Sequence, residues 1–364
     1  MKYLFDEIEH IKLLGRNAGK SAITHCYPLF YTGSGVELNV KGSELYVEFD
    51  SSFSTNENYI CIYINNALIQ RRMIDNCHER ICIFRGMDSS SIKNVKILKA
   101  TQAFGCDPVN YLAITGFDSD GEFLPVDESV FKIEFIGDSI TSGEGLCGAK
   151  EDMEWLPMYF DIDGNYAKLT ADMLDADFNI ISQSGWGVMS SWDNITDNRV
   201  PAIYEYVCPP LTDERNVQNG SQEKYDFSSF PADYVVINLG TNDFTAMNGS
   251  FDMERINNLT HAVSDFIAMV RKNQPNASIL WAYGILDDSL ESVISDGIAD
   301  YIRETNDKKV YYLPIEPISE DEFGSREHPG RAAHEKLATT ISNRIIGLRI
   351  HELWTTYIPG CIRR

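Results

Sequence analysis

The first 128 residues alternate apolar and polar positions with a period of two, which is typical of β-strands with one buried face. The segment GVELNVKGSELYVEFDSS is the clearest case, with a Lys-Gly turn between two such runs. The runs NYICIYI, RICIFRG and KNVKILKATQA follow at short spacing. Several short strands of this kind predict an all-β sandwich of jelly-roll type over residues 1–128.

The pattern then changes to apolar runs that are nearly continuous, as in strands covered on both faces, with helical patterns between them. The five runs span residues 130–138, 178–184, 233–240, 278–284 and 310–315. This alternation predicts an α/β domain over residues 129–350, a flavodoxin-like three-layer α/β/α fold with a parallel five-stranded sheet. The polar segment DGEFLPVDES marks the boundary, and residues 351–364 are predicted to form a C-terminal tail.

The charge of the chain narrows the classes of function. Its 364 residues include 31 basic and 54 acidic side chains, a formal net charge of -23. So acidic a surface repels nucleic acid and anionic lipid, and it favours neutral substrates. The oligomeric state stays open.

The N-terminus and the cysteines bear on location. The segment MKYLFDEIEHIKLLGR carries acids where a signal peptide would be apolar, and no run approaches the roughly 18 apolar residues of a membrane span. The eight cysteines are scattered singly, and those at positions 61 and 82 lie in strand patterns as small core residues. We therefore expect free thiols and a cytoplasmic location.

Four polar motifs follow the predicted strands of the second domain. Ser139 follows the first strand in GDS, Gly185 follows the second, Asn242 lies in GTND after the third, and His328 follows the last. The carboxyl ends of parallel strands meet at one edge of a sheet, where active sites of such folds lie. We therefore expect a hydroxyl, a glycine amide, a carboxamide and an imidazole to lie together.

This set of groups is the one that acyl transfer needs. A serine hydroxyl is a poor nucleophile until an imidazole takes its proton, which gives Ser139 and His328 the roles of nucleophile and general base. The tetrahedral intermediate needs preorganised donors for its oxyanion. The N–H groups of Ser139 and Gly185 and the amide of Asn242 could supply them.

Metal and cofactor motifs are weak in this chain. The segment DIDG at 161–164 starts like a calcium loop but lacks its bidentate glutamate. His328 and His334 are six residues apart, which is the wrong spacing for zinc on one helical face. No glycine-rich nucleotide motif is present. The sequence therefore predicts neither a metal nor a cofactor.

The order GDS, glycine, GTND and His-Pro resembles the SGNH (GDSL-type) hydrolase superfamily over residues 130–348. The preceding β-rich segment makes the chain similar to carbohydrate esterase family 2. In that family a jelly-roll domain precedes an SGNH domain that removes O-acetyl groups from plant polysaccharides or their oligosaccharides. The resemblance implies the same roles for Ser139, His328, Gly185 and Asn242, and an O-acetylated carbohydrate as the substrate.

Two positions depart from that family's pattern. Ser325 stands where many members have an acid three residues before the histidine, so we expect a Ser139–His328 dyad oriented by a backbone carbonyl near residues 325–326. Glu327 is the alternative partner for the imidazole. Glu327 also replaces an aromatic residue that related esterases often have before the histidine.

Aromatic residues near the predicted catalytic edge could bind sugar. Trp186 follows the oxyanion glycine and Phe244 follows GTND, so either could replace the missing ring. The loop 142–164 is longer than an ordinary connection and carries Trp155 and Tyr159. These two rings could line a sugar site or pack over the domain junction.

The sequence leads to one function and leaves two others open. The first is a serine esterase that deacetylates manno- or xylo-type saccharides through an acetyl-enzyme on Ser139. The second keeps the fold but acts on a lysophospholipid or an acyl thioester. The third is a carbohydrate-binding protein whose hydrolase domain is vestigial.

Overall fold

A computed structural model describes residues 1–19 and 25–357, with side chains to residue 351. The N-terminal part contains eleven strands within these residues. They are β1 (Lys2–Leu4), β2 (Ile11–Leu14), β3 (Tyr27–Pro28), β4 (Gly35–Lys41), β5 (Glu44–Ser52), β6 (Asn58–Ile64), β7 (Ala67–Ile74), β8 (His78–Arg85), β9 (Ile92–Lys99), β10 (Tyr111–Ser119) and β11 (Glu122–Leu124).

These strands form two antiparallel sheets packed face to face. One sheet has the order β1-β10-β5-β8 with β3 paired to β10, and the other has the order β11-β4-β9-β6-β7 with β2 paired to β4. Alternate residues of both sheets point into one apolar core, such as Val36 and Leu38 from one sheet and Val47 and Phe49 from the other. The period-two pattern of the sequence is the pattern of this core.

The C-terminal part is a parallel sheet with the strand order β13-β12-β14-β15-β16, the flavodoxin-like order in which the first strand lies inside the second. Its strands are β12 (Phe131–Gly137), β13 (Ala176–Ser182), β14 (Tyr234–Asn238), β15 (Ser278–Tyr283) and β16 (Val310–Pro314). The helices are α1 (Ser139–Ser142), α2 (Tyr166–Leu174), α3 (Val200–Tyr204), α4 (Glu214–Gln218), α5 (Thr241–Met247), α6 (Met253–Asn273), α7 (Glu291–Thr305) and α8 (Arg331–Tyr357).

Helices cover both faces of this sheet. Apolar residues of α6 and α7 pack on one face, where they meet Ile136 of β12. Residues of α2 and α8 pack on the other face against Ile133 and Phe135 of the same strand. Because both faces are buried, the strands read as continuous apolar runs in the sequence.

The fold class predicted from the sequence is confirmed: an all-β domain precedes a three-layer domain with a five-stranded parallel sheet. Helix α8 continues to Tyr357, past residue 350 where a tail was predicted to begin, and residues 358–364 lie outside the described residues. Cys61 is buried as expected, but Cys82 is exposed because its neighbours Ile81 and Ile83 occupy the inward positions of β8.

A buried ion pair links the N-terminal segment to β12, the strand that precedes Ser139. Arg16 donates to Glu134 of β12 at 3.1 Å, and both side chains are fully buried. Tyr204 donates to the second carboxylate oxygen at 2.7 Å, and the guanidinium lies over the Tyr204 and Tyr225 rings. The two domains therefore share interior contacts, and they are not joined only by their linker.

Two further properties of the described residues concern their helices and their cysteines. None of their helices has the apolar run needed to cross a lipid bilayer. The seven cysteines among these residues are unpaired.

A fully buried histidine makes the stability of the fold depend on pH. His334 lies on α8, where its Nδ1 accepts a hydrogen bond from the Tyr166 N–H of α2 at 3.0 Å. Burial, with smaller contributions from the nearby His328 and Arg331, lowers the pKa of His334 to about 3. The unfolded chain takes up a proton on this residue below about pH 6.5, whereas the native chain does not until about pH 3.

Stability should therefore be lost as the pH falls from about 6.5 toward 3. This residue alone should remove about 2 kcal/mol of unfolding free energy between pH 7 and pH 5. Urea unfolding at both pH values measures the loss, and in His334→Asn the loss between the two pH values should shrink by that amount. His261→Asn, on the exposed face of α6, is the control and should behave as the wild type. Equal losses in wild type and His334→Asn would contradict the prediction.

Candidate active site

Ser139, the predicted nucleophile, lies on a tight turn at the end of β12. Asp138 caps α1 by accepting the Ile140 N–H at 3.0 Å, so Ser139 is the first residue of that helix. The turn requires Gly137, because a Cβ there would lie 1.9 Å from the Thr141 hydroxyl oxygen. Ser139 is 8% exposed, so the sheet edge presents its hydroxyl through a narrow opening.

The imidazole of His328 reaches this hydroxyl. Its Nε2 lies 2.8 Å from Ser139 Oγ, and its Nδ1 lies 2.7 Å from the backbone oxygen of Arg326. A carbonyl oxygen can only accept, so Nδ1 carries the proton and donates to it. Nε2 is then unprotonated in the resting state and accepts the Ser139 O–H. This is the tautomer that a general base needs.

The turn before the histidine is held in an unusual backbone conformation. Arg326 and Glu327 both have φ of +56°, in the left-handed region that non-glycine residues rarely adopt. Backbone contacts to the loop after the nucleophile support the turn: Arg326 N–H donates to the Asp152 oxygen at 2.8 Å, and Ser325 N–H donates to the Gly145 oxygen at 3.2 Å. The turn depends on its neighbours to keep this strained geometry.

The two positions that departed from the family pattern have different roles. Ser325 is fully buried and donates to the Cys147 backbone oxygen at 2.9 Å, so it anchors the turn and does not contact the imidazole. Glu327 is exposed, and the Nδ1 that it could have oriented is bonded to the Arg326 oxygen. The backbone carbonyl, and not Glu327, therefore contacts His328.

The backbone N–H groups of Ser139 and Gly185 are available to a ligand oxygen. Gly185 follows β13, whose last residue is paired with Gly137 at the end of β12, so both groups lie at the same edge of the sheet. Within the described ranges, no protein atom accepts a hydrogen bond from the N–H of Ser139 or of Gly185. Gly185 has φ of +80°, and a Cβ there would lie 2.9 Å from the Trp192 ring.

Asn242 connects the three motifs. Its side-chain nitrogen donates at 3.2 Å to Asp138, the residue before the nucleophile, and at 3.2 Å to the Trp186 backbone oxygen, which follows the oxyanion glycine. Both bonds are long for N–H donors. The amide is therefore held beside the nucleophile by bonds weak enough to be shared with an oxyanion.

Asp243, which the sequence reasoning did not single out, holds the glycine loop in place. Its carboxylate accepts the N–H groups of Val188 and Met189, each at 2.8 Å, and a Cβ on Gly187 would lie 2.4 Å from it. Burial raises the pKa of Asp243 to about 6, which the backbone donors oppose. The GTND motif thus supplies both an amide near the nucleophile and an anchor for its neighbouring loop.

Acidic groups surround the nucleophile. Burial and, to a smaller extent, the carboxylates of Asp243 and Glu144 raise the pKa of Asp138 to about 7, against the hydrogen bond from Ile140. Glu144 is 2% exposed and accepts from Arg326 Nε at 2.8 Å. Among the described residues, no group of His, Cys, Asp and Glu side chains is arranged to hold a metal ion.

The four predicted sugar-binding rings differ in their surroundings. Trp186 and Phe244 are half-buried and pack against the core on the α6 side of the sheet. Trp155 is also half-buried, edge-on to Phe104 at 5.6 Å, and Tyr159 is buried. Trp155 thus packs against a ring of the β-domain, the second of its two alternatives. A sugar contact of any of the four rings stays a prediction.

An exposed ring that sequence reasoning missed lies beside the oxyanion glycine. Trp192 is 59% exposed, and its backbone N–H donates to the Gly185 oxygen at 2.8 Å. Glu144 and Arg326 were also missed. Asp138 and Asp243 could have been found because they belong to the GDS and GTND motifs, whereas Trp192 belongs to no motif that would mark it in the sequence.

A serine hydroxyl bonded to an imidazole, with free backbone donors at the carboxyl edge of a parallel sheet, defines the class of serine hydrolases. Residues 135–336 match the GDSL-like Lipase/Acylhydrolase family. The chain belongs to that family, and its N-terminal β-sandwich gives it the two-domain arrangement of carbohydrate esterase family 2.

Two curated relatives cover most of the chain. One is the cellulase/esterase CelE of Acetivibrio thermocellus, 29% identical in an alignment of 325 positions that covers 86% of this chain and 37% of that protein. The chain thus spans just over a third of CelE. The other is an acetylxylan esterase / glucomannan deacetylase of Cellvibrio japonicus, 25% identical in an alignment of 345 positions that covers 92% of this chain and 88% of that protein.

Solved structures agree with this assignment. An acetyl xylan esterase from the rumen bacterium Butyrivibrio proteoclasticus is 36% identical with a TM-score of 0.91, covering 95% of this chain and 98% of that one. A family two carbohydrate esterase from Clostridium thermocellum, solved in complex with cellohexaose, is 26% identical with a TM-score of 0.79, covering 93% and 98%.

Proposed function

We propose that the chain is a serine esterase that removes O-acetyl groups from xylan- or mannan-type saccharides. One observation carries the chemistry: the Ser139 hydroxyl is hydrogen bonded to an imidazole whose other nitrogen is fixed by a backbone carbonyl. The bond lies at the sheet edge where two backbone N–H groups are free. This arrangement can accept an acyl group and hydrolyse it.

The first half of the reaction acylates the serine. Ser139 Oγ attacks the acetyl carbonyl carbon while His328 Nε2 takes the hydroxyl proton. The carbonyl oxygen becomes an oxyanion, which the N–H groups of Ser139 and Gly185 and the amide of Asn242 would stabilise. The imidazolium then gives its proton to the sugar oxygen as the C–O bond breaks, and the sugar leaves with a free hydroxyl.

The second half releases acetate by the same steps. Water replaces the sugar and gives a proton to Nε2 as its oxygen attacks the acetyl-enzyme. The oxyanion is bound by the same donors, and its collapse returns the proton from the imidazolium to Ser139 Oγ. Serine and histidine end as they began, so no cofactor is consumed.

The shape of the rim supports a saccharide substrate. Glu327, next to His328 in the sequence, lines a cavity of about 440 Å³ together with the apolar side chains of Met153, Leu286 and Phe323. Its rim is charged, with Lys150 ion-paired to Glu320 at 3.1 Å. Apolar carbon faces and hydroxyl edges are the two surfaces of a sugar ring, and this lining offers a partner to each. The names of the relatives point to acetylated xylan and glucomannan.

Trp192 is the ring best placed to stack on a sugar near the reacting ester. Replacing it with alanine should raise KM for an acetylated xylo- or manno-oligosaccharide about tenfold and leave KM for p-nitrophenyl acetate nearly unchanged. Trp192→Phe keeps an aromatic face and should recover most of the loss. Initial rates on both substrates measure the difference, and equal losses on both would contradict a sugar-stacking role.

Acetate release from acetylated xylan and mannan oligosaccharides, with wild type beside Ser139→Ala, tests the proposed function. Release by the wild type alone would support it. Cleavage of p-nitrophenyl acetate without saccharide cleavage would keep the chemistry and overturn the substrate. A preference for p-nitrophenyl esters longer than about four carbons would favour a lysophospholipid or thioester substrate instead, because each buried CH₂ adds about 0.8 kcal/mol. Saccharide binding without any cleavage would favour the carbohydrate-binding alternative.

A further inference from the structure

Glu144 is a buried acid five residues after the nucleophile that no step of the reaction above uses. Its side chain is 2% exposed, and it accepts from Arg326 Nε at 2.8 Å. Arg326 is the residue whose backbone oxygen bonds His328 Nδ1. Burial of a carboxylate costs desolvation free energy unless the carboxylate is paired, and Arg326 is the partner that compensates this cost for Glu144.

The ion pair supports a backbone that would otherwise relax. Arg326 has φ of +56°, a conformation that costs a non-glycine residue free energy and persists only where neighbours hold it. Its guanidinium is held at both Nε, by Glu144, and Nη1, which donates to the Met153 oxygen at 3.1 Å. Side chain and backbone of Arg326 are thus fixed together, and with them the carbonyl that faces the imidazole.

The same carboxylate lies close to the reacting nitrogen. Glu144 Oε1 is 3.9 Å from His328 Nε2, the atom that becomes protonated when Ser139 attacks. The other titratable or charged groups around this pair are Arg326 on the histidine's own turn, Asp138 beside the nucleophile, Asp243 on α5 and His334 on α8. A negative charge at this distance favours the imidazolium over the neutral ring.

We propose that Glu144 is a positioning residue for the esterase reaction: through Arg326 it holds the carbonyl that orients His328, and its charge stabilises the imidazolium that forms. The inference rests on the proposed function. It assigns to a glutamate from the loop after the nucleophile the work that the acid missing at Ser325 would otherwise do.

Glu144→Gln removes the charge and keeps the size of the side chain. We expect kcat for p-nitrophenyl acetate to fall about tenfold with KM within about twofold. The acid limb of the kcat/KM profile should move to lower pH by about one unit, because the imidazolium loses a neighbouring negative charge. Arg326→Ala should lower kcat at least as much, and Arg326→Lys, which keeps a cation, should recover part of it.

A matched control separates catalysis from folding. Arg271 and Asp307 form an ion pair of the same kind, Nε to carboxylate at 2.7 Å and largely buried, outside the site. Asp307→Asn should lower the melting temperature and leave kcat and the pH profile as in the wild type. If Glu144→Gln changes only the melting temperature in the same way, Glu144 is merely structural and the inference is overturned.

NMR of the His328 ring tests the inference without relying on turnover. The Nδ1–H resonance is identified by its loss in His328→Gln, and this proton should exchange with water faster in Glu144→Gln than in the wild type, because the Arg326 carbonyl that accepts it is no longer held in place. Equal exchange rates overturn the inference even if the wild type cleaves no ester, whereas absence of esterase activity overturns only the proposed function. Should Glu144→Gln fail to fold, Glu144→Asp keeps the charge on a shorter side chain. It should lower kcat but leave the acid limb in place.

Discussion

Replacing His328 with alanine is expected to lower kcat for p-nitrophenyl acetate by about 10⁴-fold or more. Nε2 of this residue is the atom that accepts the Ser139 O–H at 2.8 Å, and no other imidazole is placed to do so among the described residues. Without it the hydroxyl keeps its proton at neutral pH and attacks an ester only slowly. Ser139→Ala should cost as much, because it removes the attacking atom itself.

The double variant Ser139→Ala/His328→Ala should be no slower than either single variant. Serine and histidine act as a unit, so removal of either leaves only the contribution of the oxyanion donors and binding, about 10³–10⁴-fold over water. Steady-state rates on the aryl acetate measure all three. His261→Ala, an exposed histidine on α6, serves as the folded control with wild-type kcat.

Two outcomes would contradict this expectation. A His328→Ala variant with a tenth or more of the wild-type kcat would mean that another base serves Ser139. Losses that multiply in the double variant would mean that the two residues act independently. Either result would mean that the hydrogen bond between Ser139 and His328 does not serve general-base catalysis.

The fold was predictable because its signals are local and repeated. The strands of the parallel sheet are five to seven residues long and mostly apolar, and the predicted runs contain β12, β14, β15 and β16 in full, while β13 begins two residues before its predicted run. Right-handed crossovers limit the possible strand orders without selecting one, and the flavodoxin-like order observed here is the one that the family resemblance implies. The end of α8 was not predictable in the same way, because the composition changes little after residue 350 while the helix continues to Tyr357.

The positions of the proposed catalytic residues were predictable for a related reason. Ser139, Gly185 and Asn242 each follow a strand, and the topology of a parallel sheet brings strand ends together. The place of each motif after a strand was therefore enough to predict that the three residues lie together, without any knowledge of side-chain contacts. The backbone carbonyl near residues 325–326 was inferred from the absence of an acid at Ser325, and it is the Arg326 oxygen that contacts His328.

The supporting contacts were not predictable from one sequence. Glu144 and Arg326 are 182 residues apart, and their ion pair depends on a left-handed turn that no motif encodes. The loop of Glu144 and the turn of His328 also pack closely at Gly145, because a Cβ on Gly145 would lie 2.4 Å from the Cβ of His328. Trp192 reaches the site only because its loop folds back onto the Gly185 oxygen. Such contacts belong to loop geometry and not to periodicity.

Asn242→Ala is expected to lower kcat for p-nitrophenyl acetate by about 10²–10³-fold and to change KM little. An oxyanion exists only in the transition state and the tetrahedral intermediate, so a donor aimed at it affects kcat more than ground-state binding. In the resting structure the side-chain amide of Asn242 donates hydrogen bonds to the Asp138 carboxylate and to the Trp186 backbone oxygen, each at 3.2 Å. Bonds of that length can be exchanged for a charged acceptor as the carbonyl carbon becomes tetrahedral.

A structural role for the same amide predicts a different result. If Asn242 only ties the motifs together, Asn242→Ala should lower the melting temperature while kcat falls no more than a few-fold. Asn58→Ala is the matched control, since Asn58 is also buried and donates to a backbone oxygen, that of Tyr111 at 2.9 Å, but in the β-domain. It should cost stability and leave kcat alone. A large kcat loss in Asn242→Ala, at a stability cost like that of Asn58→Ala, would assign the amide to the oxyanion.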